Sequence, residues 1–329
     1  MNETSHGSGC GHLVVGYTYS FLSAIELLLY LPCIIVMNRE EEFQNNCFRF
    51  LRHQAIGDVV NIVQQFVLGV IIMGQFSVPH WFNKYFFGTT TAFAWQSYVA
   101  LVHTVALNRC MVVCLPHNEH QFFSDTATTK WIAACWFHAV LYWLAAMSPW
   151  LSYDYHAATY NLYFDMSTPW ALVVHFITWW ESAGLILLSG LWYLTIVLFL
   201  RLERREMPEE SVQAASSVQE QERRIMKQAA AICLFAIVLN QYWCWISYLP
   251  SFPYAYAVGN TLWVLNSGVN PVVYFTMNKT MRTKILEMFG IYTVVAPAQQ
   301  LTVKQGVKSG KESSTKRLSN LEDMNISDV

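Results

Sequence analysis

Seven long apolar runs dominate this chain of 329 residues and leave few folds open to it. They cover about Val15–Met37, Gln54–Met73, Tyr85–Val113, Trp131–Leu151, Trp170–Leu200, Met226–Leu249 and Ala255–Met277. A helix of roughly 20 apolar residues crosses the roughly 30 Å hydrocarbon core of a bilayer. Each run meets that length, and the linkers between runs are short, so neighbouring helices are expected to pack antiparallel. Hydrophobic residues make up 54% of the chain and charged residues 13%, against about 25% charged in soluble domains. The expected class is an all-α membrane protein, a seven-transmembrane helix bundle.

Orientation follows from lysine and arginine placement, because short cytoplasmic loops hold the basic residues. Of the 20 lysines and arginines, all but Lys84 fall on one side of the seven runs. They include Arg39, Arg49 and Arg52 after the first run, Arg109 and Lys130 around the third, and a cluster from Arg201 to Lys227. The rest, Lys279 to Arg317, follow the seventh run. This places the amino terminus outside and the carboxyl tail in the cytoplasm, at the plasma membrane. Residues 1–14 are expected to form an extracellular segment and 15–289 a seven-transmembrane domain. Residues 290–329, rich in Ser, Lys and Gln, are expected to form a disordered cytoplasmic tail. Within the domain, 279–289 has Met281, Ile285, Leu286 and Phe289 among basic residues, the pattern of a short amphipathic interfacial helix. Residues 1–14 lack a basic cluster and an apolar core, so no cleavable signal peptide is read there.

The seventh run carries the densest chemistry. It reads Asn266-Ser-Gly-Val-Asn270-Pro271-Val-Val-Tyr274. A proline inside a helix removes one backbone hydrogen bond and frees a carbonyl, and asparagines beside it satisfy such openings. Asp58 lies within the second run, where an ionisable group is costly and marks a functional site by default. Arg109 closes the third run; alone it is a helix-end arginine that snorkels to the interface.

Together these strings resemble the rhodopsin-like G-protein-coupled receptors. The NSxxNPxxY core matches Asn266 to Tyr274, and Asn108-Arg109-Cys110 with Pro116 is similar to the family's D/E-R-Y motif and loop proline. Ala55-Ile-Gly-Asp58 is similar to LAxxD. Within that superfamily the chain resembles the nematode serpentine chemoreceptors of class T, on Leu28 to Met37, Ala106 to Cys110 and Val273 to Arg282. The resemblance implies a receptor that activates a heterotrimeric G protein, with a switch made by Asp58, Asn108, Arg109, Tyr193, Asn266, Asn270, Pro271 and Tyr274. It also implies that Asp58 meets Asn266 and Asn270 through water. The serine that helps relatives hold sodium is replaced by Tyr98, which leaves either a sodium ion or a shared proton at Asp58. Asn108 stands where the family has an acid, so a lock on Arg109 must come from elsewhere, with Glu220 and Glu222 as candidates. Further departures are a first run without the GN pair, a fifth without proline, and a sixth with Cys244-Trp245 whose proline, Pro250, comes five residues after the tryptophan. No cysteine pair is placed to make the usual extracellular disulfide.

The outer halves of the runs are crowded with aromatics, as at any membrane interface, and the surplus suits an apolar pocket with few polar anchors. By position in the resembling fold, Thr91, Trp95, Gln96, Glu181, Trp245, Asn260 and Trp263 are the expected ligand-binding residues. Glu181 either anchors a cationic ligand or is a protonated structural acid. No lysine lies in the seventh run, which disfavours a retinal Schiff base. His103, His138 and His175 sit on different helices, so no metal site is read, and no cofactor is expected. No nucleophile elbow, P-loop or HExxH appears, so enzymatic chemistry has no support, and nothing points to nucleic acid. The expected partners are a small-molecule ligand, a heterotrimeric G protein and membrane lipids. The tail adds phosphorylatable Ser309, Ser313, Ser314, Thr315 and Ser319 for an arrestin-like partner, and Ser327-Asp-Val329 for a PDZ-type groove. Asn2 is a glycosylation acceptor. The competing class is a proton-coupled transporter using Asp58, Glu181 and the intramembrane histidines; repeated halves would favour it, and none is evident.

Overall fold

The structure, a computed structural model, describes residues 10–151, 153–157, 159–206, 216–246 and 254–291. Side chains of Asp154, Tyr163 and residues 203–206 and 216–229 are outside that description. Seven long helices appear in the expected order: α1 (Gly11–Arg39), α2 (Asn46–Gly74), α3 (His80–Cys114), then the short α4 (Pro116–Phe122) and α5 (Asp125–Met147). After a hairpin of β1 (Tyr153–His156) and β2 (Asn161–Phe164) come α6 (Pro169–Glu206), α7 (Ser216–Trp245), α8 (Ala255–Met277) and α9 (Lys279–Met288). Among the described residues, four helices (α1, α2, α3 and α6 to Leu202) are long and apolar enough to cross a membrane by themselves. The other three long helices, α5, α7 and α8, complete the bundle.

The helices turn continuous apolar stripes outward and gather many of their polar side chains inside, among apolar core residues. On α1, Val14, Tyr17, Phe21, Leu28, Leu31 and Ile35 are exposed at three- and four-residue steps, and on α6 so are Phe176, Trp180, Leu187, Leu191, Leu194 and Leu198. Such continuous apolar stripes exceed what a soluble monomer leaves in water; they suit hydrocarbon. On α2 the same step buries Gln54, Asp58, Asn61 and Gln65. Each of these residues turns toward the bundle interior, where other side chains can meet it.

Close packing sets the register of α1 against α2. A Cβ on Gly69 would lie 2.4 Å from Ser20 Oγ and 2.7 Å from the Gly16 carbonyl, so only glycine allows the approach. Small residues at such crossings are the usual means of tight contact in membranes. α1 also packs on α8, α2 on α3, and α3 on α5 and α6, while α7 joins α6 to α8 and closes the ring. Local caps set the helix starts. Asn45 accepts from the Phe48 amide at 3.1 Å and begins α2 eight residues before the apolar run, while Pro116 opens α4 at its first turn. Asn278 accepts from the Met281 amide at 3.0 Å, and α9 then buries Met281 and Ile285 beside Tyr30, Met37 and Tyr274. Lys284 pairs with Glu40 at 3.0 Å. The end of α9 is closed by the Ile291 amide donating to the Leu286 carbonyl at 2.9 Å.

Two elements were not expected. The loop after α5 folds into the antiparallel hairpin, Tyr153 opposite Phe164 and His156 opposite Asn161. The start of α3 passes through a π-helical turn at Asn83–Gly88. The expected extracellular segment is described only from Cys10, and Asn2 lies outside the described residues. So does the tail beyond Ile291, with its phosphorylation and carboxyl-terminal motifs.

Candidate functional site

At the hairpin end of the bundle lies a cavity of about 530 Å³, within the usual size for small-molecule sites. Six helices (α2, α3, α5, α6, α7 and α8) and the hairpin shape it. Thr91, Trp95 and Gln96 come from α3, Thr178 and Ser182 from α6, Asn240 and Trp243 from α7, and Asn260 and Trp263 from α8. Asn161 and Leu162 of β2 close over it. Asn260 Nδ2 donates to Asn161 Oδ1 at 2.8 Å, which ties the hairpin to α8. Trp263 stands between Trp95 and Trp243, with ring centroids 5.2 Å and 5.9 Å away. Trp95 Nε1 donates to Ser182 Oγ at 3.0 Å, fixing the ring against α6.

Five of the seven expected ligand residues, Thr91, Trp95, Gln96, Asn260 and Trp263, line this cavity. The other two do not. Trp245 is 60% exposed and its Nε1 donates to Gln241. Two positions along a helix turn by about 200°, so with Trp243 inside, Trp245 faces out. Glu181 likewise sits one residue beside the lining Ser182 and turns toward α5. There its carboxylate accepts from the Tyr142 hydroxyl and lies 3.6 Å from His138 Nδ1. The histidines do not form a chain. His103 meets Ser189 at 3.3 Å, His138 meets Gln96 at 3.4 Å, and His175 Nδ1 accepts from Trp179 at 3.0 Å. Among the described residues no group of three or more His, Cys, Asp or Glu is placed to hold a metal ion.

Below the cavity a buried polar network joins α1, α2, α3 and α8. Trp95 stacks on Tyr98 at 5.8 Å, and the Tyr98 hydroxyl donates to Asn266 Oδ1 at 3.1 Å. One turn on, Asn270 Nδ2 donates to Asp58 Oδ2 at 2.6 Å, and the Tyr30 hydroxyl donates to the same oxygen at 2.5 Å. Asn61 donates to Ser267 Oγ at 2.6 Å. Asp58 is thus bonded to Asn270 directly, while Asn266 bonds to Tyr98 rather than to Asp58. Tyr98 fills the position read as a missing sodium ligand and bonds across the bundle from it. Glu26 packs its carboxyl against Gly268, where a Cβ would come within 2.3 Å of it.

Sequence reasoning missed Tyr30, Asn61 and Ser267. Tyr30 lies in the Leu28–Met37 string, and Asn61 falls on the Gln54–Asp58–Gln65 step, so the helical period carried a signal for both. Nothing in the loop marked Asn161. Further along, Pro271 and Tyr274 sit at the far end of the bundle, Tyr274 buried against Tyr30, Cys33 and Met37. Tyr193 is buried with Ala106, Cys110, Ile196 and Cys233. Arg109 Nε donates to Cys47 Sγ at 3.1 Å, and Asn108 is buried next to it. The side chains of Glu220 and Glu222, the candidate partners of Arg109, lie outside the described residues.

Seven long helices, with Pro271 inside α8, a buried carboxylate on α2 and an arginine near the end of α3, make a seven-helix membrane bundle of the rhodopsin type. Among solved structures the chain is similar to squid rhodopsin in its crystal structure, at TM-score 0.71 and 14% identity over 86% of this chain and 87% of that one. The family described as "Serpentine type 7TM GPCR chemoreceptor Srt" matches residues 1–296. The chain belongs to that family, as the resemblance at Leu28–Met37, Ala106–Cys110 and Val273–Arg282 implied. It is a multi-pass membrane receptor of the G-protein-coupled class. No curated protein sequence matches it.

Proposed function

We propose that the chain is a chemosensory receptor of the plasma membrane that binds a small molecule at the hairpin end and activates a heterotrimeric G protein at the Arg109 end. The amino terminus faces outside in this reading, since the basic residues gather at the opposite end of the bundle. The observation that carries it is continuity. The cavity's Trp95 stacks on Tyr98, and Tyr98 bonds Asn266, one turn from the Asn270–Asp58 contact. A ligand that moves Trp95 or Trp263 therefore biases a buried network that reaches Tyr274. Such coupling requires that the ligand bind one arrangement better than the other.

In this reading Arg109 leaves Cys47 when α7 moves and meets the G protein, with Tyr193 and Tyr274 repacking around it. Residues 15–289 form the receptor domain. The tail is the site for an arrestin-like or PDZ-type partner, Asn2 is the site for glycosylation, and lipids surround the apolar stripes. The test is a small-molecule screen in transfected cells with a G-protein activation readout. A hit should lose its signal in Arg109→Ala while surface expression and binding persist. Full activation by that variant would sink the role given to Arg109, and substrate flux in vesicles without G-protein activation would replace the receptor reading with transport.

A further inference from the structure

We infer that the cavity is built for an uncharged molecule with a flat apolar body and a carbonyl-type acceptor, and not for an amine or a carboxylate. The inference rests on the cavity being the ligand site, as proposed above, and names the chemistry it selects.

No Asp, Glu, Lys or Arg lines the cavity among the described residues. The carboxylate most available by sequence, Glu181, is turned away and held by Tyr142 and His138. The wall does contain one imidazole, His175, whose Nδ1 accepts from Trp179; that nitrogen carries no proton, and the bond fixes the ring as a neutral group. A charged occupant would therefore leave water without a counter-ion, and burial of an unpaired charge is among the costliest events in a protein interior. A cation over the Trp95, Trp243 or Trp263 faces recovers part of that cost but not most of it. A flat neutral ring stacks against the same faces without it.

The polar groups of the wall narrow the class further. Gln96 Nε2 and Trp243 Nε1 are buried donors with no hydrogen-bond partner, and Gln65 Oε1 is a buried acceptor with none. All three residues line the cavity. By contrast Gln64, next to Gln65, is satisfied at both ends, by Thr91 at 2.5 Å and Thr90 at 3.0 Å. Buried polar groups are rarely left unpaired, so two donors against one acceptor favour an occupant that brings a carbonyl or ether oxygen first and a donor second.

The experiment uses purified full-length receptor in lipid nanodiscs and a library of aryl ketones, aryl-methylammonium compounds and aryl carboxylates matched in size. Binding is read by thermal shift and tryptophan fluorescence, with no G protein present. The expected result is that the best ketones bind at least about tenfold tighter than their charged counterparts, a difference of about one decade in Kd. Gln96→Leu should weaken the ketones about fivefold, the share of one hydrogen bond, with the unfolding temperature of the empty variant read alongside to register the lost Gln96–His138 contact. Ser182→Asp, which sets a carboxylate in the wall, should shift preference toward the ammonium series. Ammonium or carboxylate members that bind as well as the ketones, or a library in which no ketone binds, overturns the inference. Ketones that bind in the cavity yet activate no G protein in cells would instead overturn the function proposed above, and leave the chemistry of the cavity standing.

Discussion

At Asp58 a single carboxylate oxygen, Oδ2, accepts from both Tyr30 and Asn270. A buried carboxylate is tolerable only when its lone pairs are taken, so each donor should have a measurable share in stability. Tyr30→Phe keeps the ring and removes one donor. It should destabilise the purified receptor by about 1–2 kcal/mol, read as a lower unfolding midpoint in nanodiscs. An unchanged midpoint would take Tyr30 out of the network. The two tryptophans of α7 give a second prediction. Trp243→Ala should weaken any cavity ligand about tenfold, the scale of a buried aromatic anchor, whereas Trp245→Ala should leave affinity within about twofold because its ring faces outward. Equal losses would mean that the cavity wall has been drawn on the wrong face. The sequence marked Trp245 through its neighbour Cys244 and through position, but only the helical phase of α7 decides which tryptophan turns inward.

Elements differ in how plainly the chain announced them. α8 was legible to the residue, Ala255–Met277 in both readings, because an apolar run that follows Pro253 and ends at Asn278-Lys279 has sharp limits. α2 was not. Hydropathy places its start near Gln54, while the Asn45 cap begins the helix at Asn46. Apolarity reports the solvent around a helix and not the helix itself, so the polar turn of Cys47, Arg49 and Arg52 was invisible to it. The hairpin was hidden for another reason. Its strands have four residues each, and their tyrosines and phenylalanines resemble the aromatic belt found at any membrane interface. The crossing of α1 and α2 yields the prediction at this scale. Gly69→Val would drive branched carbons into Ser20 and Gly16, so it should sharply lower surface expression and shift the receptor to an immature pool on gels. Gly184→Ala on α6, where an added Cβ meets nothing within 4 Å, should express normally. Normal expression of both would show that α1 and α2 do not need their contact.

Across the whole molecule none of the eight cysteines is in a disulfide, and seven of them are buried or half-buried in the bundle. No covalent bridge therefore ties the hairpin to α3. Reductant should leave both the unfolding temperature and the ligand affinity of the purified receptor unchanged, and a drop of several degrees on adding dithiothreitol would reveal a disulfide. The seven-helix frame was readable because lipid imposes a length and a polarity on every crossing. The cover of the cavity was not, since the Asn161–Asn260 bond joins residues far apart in the chain that share no pattern. That same cover has a consequence in time. Tyr153 and Leu162 rest on their neighbours by packing, and the Asn161–Asn260 bond is one hydrogen bond. Lid opening spans microseconds to seconds, and a cover held by packing and one hydrogen bond, without a covalent strap, is expected toward the fast end of that range. Occupancy should then follow the outside concentration closely, falling soon after the molecule is withdrawn. Such a receptor reports change in its surroundings more faithfully than it stores a memory of them.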